Sequence, residues 1–124
     1  MKAFLKNYRQ APRKVRLVAD SVRGKQVSVA LIELSHMTQK AAPVIKNLIA
    51  SAVANAGGVD SAVSPEALKV DRITVDKGTT YTRFRPRAFG RAAPINRESS
   101  HVRVELAPVE GERAVAKSAS RTSK

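Results

Sequence analysis

Residues 78–100 read GTTYTRFRPRAFGRAAPINRESS, and what this stretch does decides how the rest of the chain is arranged. It carries Arg83, Arg85, Arg87, Arg91 and Arg97, and its first acidic residue is Glu98. Its apolar anchors are few, chiefly Tyr81, Phe84, Phe89 and Ile95, too little carbon to offset the entropy of ordering it as a core element. A strand-like run, LKVDRITVDK, precedes it and another, HVRVEL, follows it. Two strands joined by a long basic connection make an extended hairpin that stands out from its domain. With the tip near Gly90, about a dozen residues on each side at roughly 3.3 Å apiece give an arm of about 40 Å. Arginine at alternate positions 83, 85 and 87 projects to one face of an extended arm. Guanidinium is planar, permanently charged and bidentate toward phosphate, so the expected partner is polyanionic. Pro86 and Pro94 each lack an N–H, and regular pairing is expected to fail near the tip. Tyr81 and Phe84 are expected to pack across the two strands; the alternative is that they and Phe89 stack on unpaired bases.

The chain has 124 residues, which predicts one domain with one modest core. Hydrophobic residues make up 43% but aromatic ones only 4%, and Trp is absent, so Ala, Val, Leu and Ile must build that core. Lys and Arg outnumber Asp and Glu by 23 to 10, a formal charge of +13 that favours nucleic acid or an anionic surface. Without Cys there is no disulfide framework and no thiolate metal site. Residues 1–10 lack the apolar run of a signal peptide. The apolar region 41–56 is interrupted by Lys46, Asn47, Ser51 and Asn55, unlike a membrane span. A cytoplasmic protein with no membrane partner is expected.

Outward from the hairpin, residues 2–8 alternate weakly as a strand. APRKVRLVADSVRG follows, with Pro12 suited to a helix start and Gly24 to the position past its end. Val15, Val18, Ala19 and Val22 form the apolar stripe, Leu17 falls off it, and Arg13, Arg16 and Arg23 gather on another side with Asp20. A solvated face is the plain alternative for that basic side. Ser28 is expected to cap a second helix supplied with Leu31, Ile32 and Leu34 and ending at His36, whose place near a helix C-terminus explains it without a metal. Thr38 is expected to cap a third, with Ala41, Ile45, Leu48, Ile49, Ala52 and Ala56 at helical spacing and Gly57–Gly58 as the stop. Pro43 then lies beyond the tolerated first turn and should kink that helix or push its start later. Residues 59–67 read as a loop. In the next strand Leu68 and Val70 are even-numbered while Ile73 and Val75 are odd, which predicts a bulge near Asp71 and Arg72. Val102, Val104 and Leu106 alternate in good phase. The domain is expected to span 1–108 with the hairpin 78–100 inside it, and 109–124 to be a disordered tail.

Neither histidine has a companion at metal-ligand spacing, no phosphate-cradling glycine loop or nucleophile elbow is present, and the carboxylates are scattered. No enzyme, cofactor or metal is expected. Lys2, Lys6, Arg9, Arg13, Lys14, Arg16, Arg23 and Lys25 make a second basic concentration, and two separated basic surfaces suit several helices of a folded RNA. Two other classes compete. An architectural DNA-binding protein of the HU type also carries β-arms with Arg and a proline wedge, but acts as a dimer; an RNA-modifying enzyme would need a catalytic constellation.

PRKVRLVADSVRGK, then KAAPVIKNLIASAVANA, then VDKGTTYTRFRPRAFGRA followed by SSHVRVEL, in this order, resemble the bacterial large-subunit ribosomal protein L twenty-two family over roughly residues 2–106. Pro43 and the less basic Ala92-Ala93-Pro94 depart from the family's pattern. The resemblance implies an α+β fold, a small three-stranded antiparallel sheet packed against three helices with a long protruding β-hairpin. It implies a structural constituent of the large subunit that binds 23S rRNA, aids subunit assembly and lines the nascent-peptide exit tunnel with its hairpin, with a bearing on macrolide access. Partners would be 23S rRNA, neighbouring large-subunit proteins and the nascent peptide, with no homo-oligomer. The implied RNA contacts are Arg9, Arg13, Lys14, Arg16, Arg23, Lys25, Lys77, Arg83, Arg85, Arg87, Arg91, Arg97 and His101. The implied tunnel-facing tip is Arg87, Ala88, Phe89, Gly90, Arg91, Ala92, Ala93 and Pro94.

Overall fold

A computed structural model describes residues 1–56 and 65–109. The chain runs β1 (Lys2–Tyr8), α1 (Pro12–Val22), α2 (Val27–His36), α3 (Ala42–Ala56), a 3-10 turn at Pro65–Ala67, β2 (Leu68–Pro86), a 3-10 turn at Ala88–Gly90 and β3 (Ala92–Pro108). Three antiparallel strands in the order β1-β3-β2 form one sheet beside three helices, the α+β architecture expected. The last-made strand is thus the central one. The proposed tail 109–124 and most of the loop 59–67 lie outside the described residues, although Val109 donates its N–H to the Ala67 carbonyl at 2.9 Å.

The even residues Val102, Val104 and Leu106 of β3 face the helices, where they meet Val15, Val18 and Val22 of α1 and Ile45, Ile49 and Ala52 of α3 in one buried cluster. Alternation in the strand and 3.6-residue spacing in the helices place these carbons on facing sides. Leu17, off the α1 stripe, is exposed, and so is Ile32 of α2; of the three apolar residues read into α2 only Leu34 is fully buried.

Two helix starts differ from expectation. α2 begins at Val27 behind Gln26, because the 24–26 link is pinned against β2: Gly24 donates to the Val70 carbonyl and Val70 to the Lys25 carbonyl, both at 2.9 Å. Ser28 therefore falls inside the first turn. α3 begins at Ala42, which puts Pro43 at its second position, where no intrahelical donor is needed. The ring has pushed the start later, and Thr38 caps nothing; Ile45 donates to the Ala41 carbonyl instead.

Three bulges shape the sheet. Asp71 is the extra residue between Val70↔Leu106 and Arg72↔Glu105, as the phase slip predicts. Lys6 and Asn7 oppose His101 alone, with Asn7 in the left-handed region at φ 53° and its N–H on His101 Nδ1 at 3.1 Å. Gly78 and Thr79 oppose Ser99 alone, where the hairpin leaves the body.

Candidate nucleic-acid interface

Past that third bulge, β2 and β3 pair without interruption from Thr80↔Glu98 to Pro86↔Ala92. From Lys77 to Arg87 the rise is about 33 Å, shorter than the length counted from sequence because the ladder ends at Pro86↔Ala92 and Ala88–Gly90 form the closing turn. The Arg87 N–H bonds the Arg91 carbonyl at 2.8 Å and closes the tip over Ala88–Gly90. Phe89 and Gly90 both take positive φ, 59° and 66°, and the Phe89 ring is 99% exposed.

The prolines do not break the ladder. Hydrogen-bonded and non-hydrogen-bonded pairs alternate along an antiparallel ladder. With Arg87 bonded to Arg91, the pairs Pro86↔Ala92 and Phe84↔Pro94 fall at non-hydrogen-bonded sites. There the residue at a proline's position would point its N–H outward, so no ladder donor is lost. Across the strands Tyr81 stands opposite Arg97 and Phe84 opposite Pro94, on opposite faces of the arm, and the two rings keep 51% and 74% of their surface exposed.

Residues directly opposed across a ladder share a face. Tyr81 opposes Arg97, Arg83 opposes Ile95, Arg85 opposes Ala93, and Arg87 meets Arg91 at the tip. All five arginines therefore lie on one face of the arm. The other face holds Thr80, Thr82, Phe84, Pro86, Ala92, Pro94, Asn96 and Glu98, without a single cation. Among the described residues none of the five arginines forms an ion pair. The bulge at Gly78 puts them on a common side. Odd residues of β2 face the helices at Ile73 and Val75, and the extra residue shifts odd residues beyond it to the sheet's open side. The arginine face is thereby continuous with His101 and Arg103 on that open side.

The N-terminal cations divide into two groups. Arg16 donates Nε and Nη2 to the Val75 carbonyl at 3.2 and 3.0 Å, and Arg23 Nη2 donates to the Ile73 carbonyl at 3.1 Å. These carbonyls lie on the outer edge of β2, an edge strand, so both arginines cover a sheet edge that would otherwise be open to pairing. Arg23 also pairs with Asp20 at 3.0 Å, Lys25 holds both oxygens of Glu33 at 2.6 and 2.7 Å, and Lys77 pairs with Glu98 at 2.9 Å. By contrast Arg13 and Lys14 are exposed with no ion pair among the described residues. Arg9 lies 5.8 Å over the Tyr81 ring and joins the N-terminal cluster to the arm. His101 stacks on Phe4 at 6.3 Å, and Lys6 and Arg103 lie over that ring at 5.6 and 5.5 Å.

Such an arm is an electrostatic device: one face carries fixed positive charge and the other carries none. The family model described as ribosomal protein L22p/L17e matches residues 3–107. The chain belongs to this family. It is therefore a structural protein of the large ribosomal subunit, acting in translation, with RNA binding part of that role. The match takes in all three helices and nearly all of the sheet, and nothing in it favours an HU-type protein.

Within this L22p/L17e chain the sequence passed over Lys40 and Gln10, which stand with Arg9, Lys14 and Arg97 around one groove. Lys40 belongs to the α2–α3 connection, far along the chain from its neighbours, and no local pattern flags it. Arg103 was legible as the outward residue of an alternating strand, but its continuity with the arginine face depends on the bulge. Among the described residues no helix is long and apolar enough to cross a membrane.

Proposed function

We propose that this protein binds 23S rRNA through the arginine face of its arm, aids assembly of the large subunit, and lines the nascent-peptide exit tunnel with the arm's tip. The observation that carries this is the set of five guanidiniums on one face, unneutralised by the chain's own carboxylates among the described residues. Like charges so aligned repel in the free protein, and a two-stranded ribbon is marginal by itself. A phosphate-rich surface relieves both problems.

In this reading Arg83, Arg85, Arg87, Arg91 and Arg97 contact phosphates along the arm, and Arg9, Arg13 and Lys14 anchor its base. Arg16, Arg23, Lys25, Lys77 and His101 hold the elbow in shape and offer RNA only the donors left over from the bonds described. Arg87, Ala88, Phe89, Gly90, Arg91, Ala92, Ala93 and Pro94 form the end that meets the nascent peptide. Residues 1–108 act as a single RNA-binding unit beside neighbouring large-subunit proteins, in a bacterial-type cytoplasmic ribosome.

The test is the salt dependence of binding to 23S rRNA fragments, because each neutralised phosphate releases counterions. Replacing Arg83, Arg85 and Arg87 together by Ala is expected to flatten the slope of log K against log salt by about two to three units. An unchanged slope would remove the arm from the RNA contact.

A further inference from the structure

Where the arm meets the body lies a groove of about 1060 Å³, lined on the body side by Tyr8, Gln10, Lys14 and Lys40 and on the arm side by Tyr81 and Arg97, among others. Four features of it point to a ligand. Cations surround it: Arg9, Lys14, Lys40, Arg83 and Arg97 all contribute to its walls. Its one carboxylate, Glu98, is already held by Lys77 at 2.9 Å. The first turn of α1 opens on it through Ala11 and Lys14, with no side-chain cap and no acidic residue, so the positive end of the helix is unanswered. Finally, Gln10 Oε1 is buried with no hydrogen-bond partner among the described residues, an acceptor awaiting a donor.

We propose that this elbow groove is a pocket for one unpaired nucleotide of RNA, looped out of its helix. Its phosphate sits among Lys14, Arg9, Lys40 and the α1 N-terminus. The base stacks on Tyr81, whose ring is half exposed and already carries Arg9 at 5.8 Å on one face. Gln10 Oε1 accepts from a base amino group or a ribose 2′-hydroxyl. A paired base cannot reach an aromatic ring and a buried acceptor together, since its face and its pairing edge are occupied within the helix. The phosphate-binding arm and this pocket thus do different work: the arm reads backbone charge, the elbow selects a place on the RNA where a base is free.

The inference rests on the RNA-binding reading above, and the experiment separates the two. The full chain is titrated by fluorescence anisotropy with two RNA hairpins that differ only in one bulged 2-aminopurine nucleotide. The bulged RNA is expected to bind about tenfold more tightly, within the range one base–aromatic stack supplies, with quenching of the 2-aminopurine. Tyr81→Ala and Tyr81→Leu are expected to bring the ratio of the two affinities to about one and abolish the quenching, and Gln10→Met to narrow it. Arg85→Ala, outside the groove, is expected to weaken both RNAs by the same factor. If wild-type protein binds both RNAs alike, or Tyr81→Ala keeps the preference, while Arg85→Ala still weakens both, the pocket is refuted and the arm's role stands. That same equality is the result expected if the groove instead holds an acidic segment of a neighbouring protein. Should neither RNA bind at low salt, both the pocket and the RNA-binding reading fail.

Discussion

Gly78 is the residue whose replacement tests the elbow most directly. A Cβ built there comes within 2.6 Å of Ser99 Oγ and 3.1 Å of His101 Nε2. Ser99 is nearly fully buried, and its hydroxyl donates to the Thr79 carbonyl at 2.8 Å. In Gly78→Ala the hydroxyl must swing away, leaving it and the Thr79 carbonyl without each other at a cost of about 1–3 kcal/mol. The reduced freedom of the unfolded chain returns about 0.4–1 kcal/mol. The net expectation is about 1–2 kcal/mol of destabilisation, with melting lowered by about 4 °C for each kcal/mol. Urea unfolding followed by circular dichroism would measure it, with Ser99→Ala and the double variant completing a cycle. Once the Ser99 oxygen is gone the added methyl has only His101 to displace, so Gly78→Ala on the Ser99→Ala background should be close to neutral. A Gly78→Ala protein as stable as wild type, or a double variant whose losses simply add, would refute the argument that the glycine exists to let Ser99 approach.

Four further outcomes follow from the geometry. Deleting Thr79 removes the extra residue but keeps every pair from Thr80↔Glu98 outward, so the arginines should hold their common face and the salt slope of RNA binding should stay at the wild-type value. Ile49→Ala, at a fully buried position of α3, should cost about 2–5 kcal/mol in urea unfolding. Arg16→Met should lose about 1.5–3 kcal/mol by uncovering the Val75 carbonyl, whereas Arg13→Met, with no such bond, should leave stability within about 0.5 kcal/mol. The Lys2 ammonium hydrogen-bonded to Glu105, with Arg72 and Arg103 nearby, holds the Glu105 carboxyl below the usual carboxylate range. Its contribution is therefore present above the unfolded carboxylate pKa and lost as pH falls through the lower folded value; acid titrations of Glu105→Gln should lack that component.

The fold was legible wherever burial stamps a period on the chain. Val102, Val104 and Leu106 alternate against a helix layer, and the slip between Val70 and Ile73 showed as a bulge because both flanks are apolar. The bulge at Gly78 left no such mark: beyond it neither face is buried, so no hydrophobic phase exists to slip. The second and third helices were displaced from Ser28 and Thr38 by things a capping rule does not weigh, a link held to β2 in one and a proline ring in the other. The basic arm was plain in the sequence, but its one-sidedness needed the register. Arg16 and Arg23, read from the sequence as RNA contacts, also guard a strand edge 50 or more residues further along the chain. No local pattern could show that.

The strand order β1-β3-β2 also sets a timetable. Among the described residues β1 pairs only with β3, Lys2 against Glu105, so until β3 has been made it has no neighbour to join. Contacts of such sequence separation form slowly, because a long loop must close before any of them is rewarded. The sheet is completed only when the segment returning from the arm drops between two waiting strands. Synthesis must therefore have passed β3 before this protein can close its own middle, and until then its basic arm has no finished body to stand on.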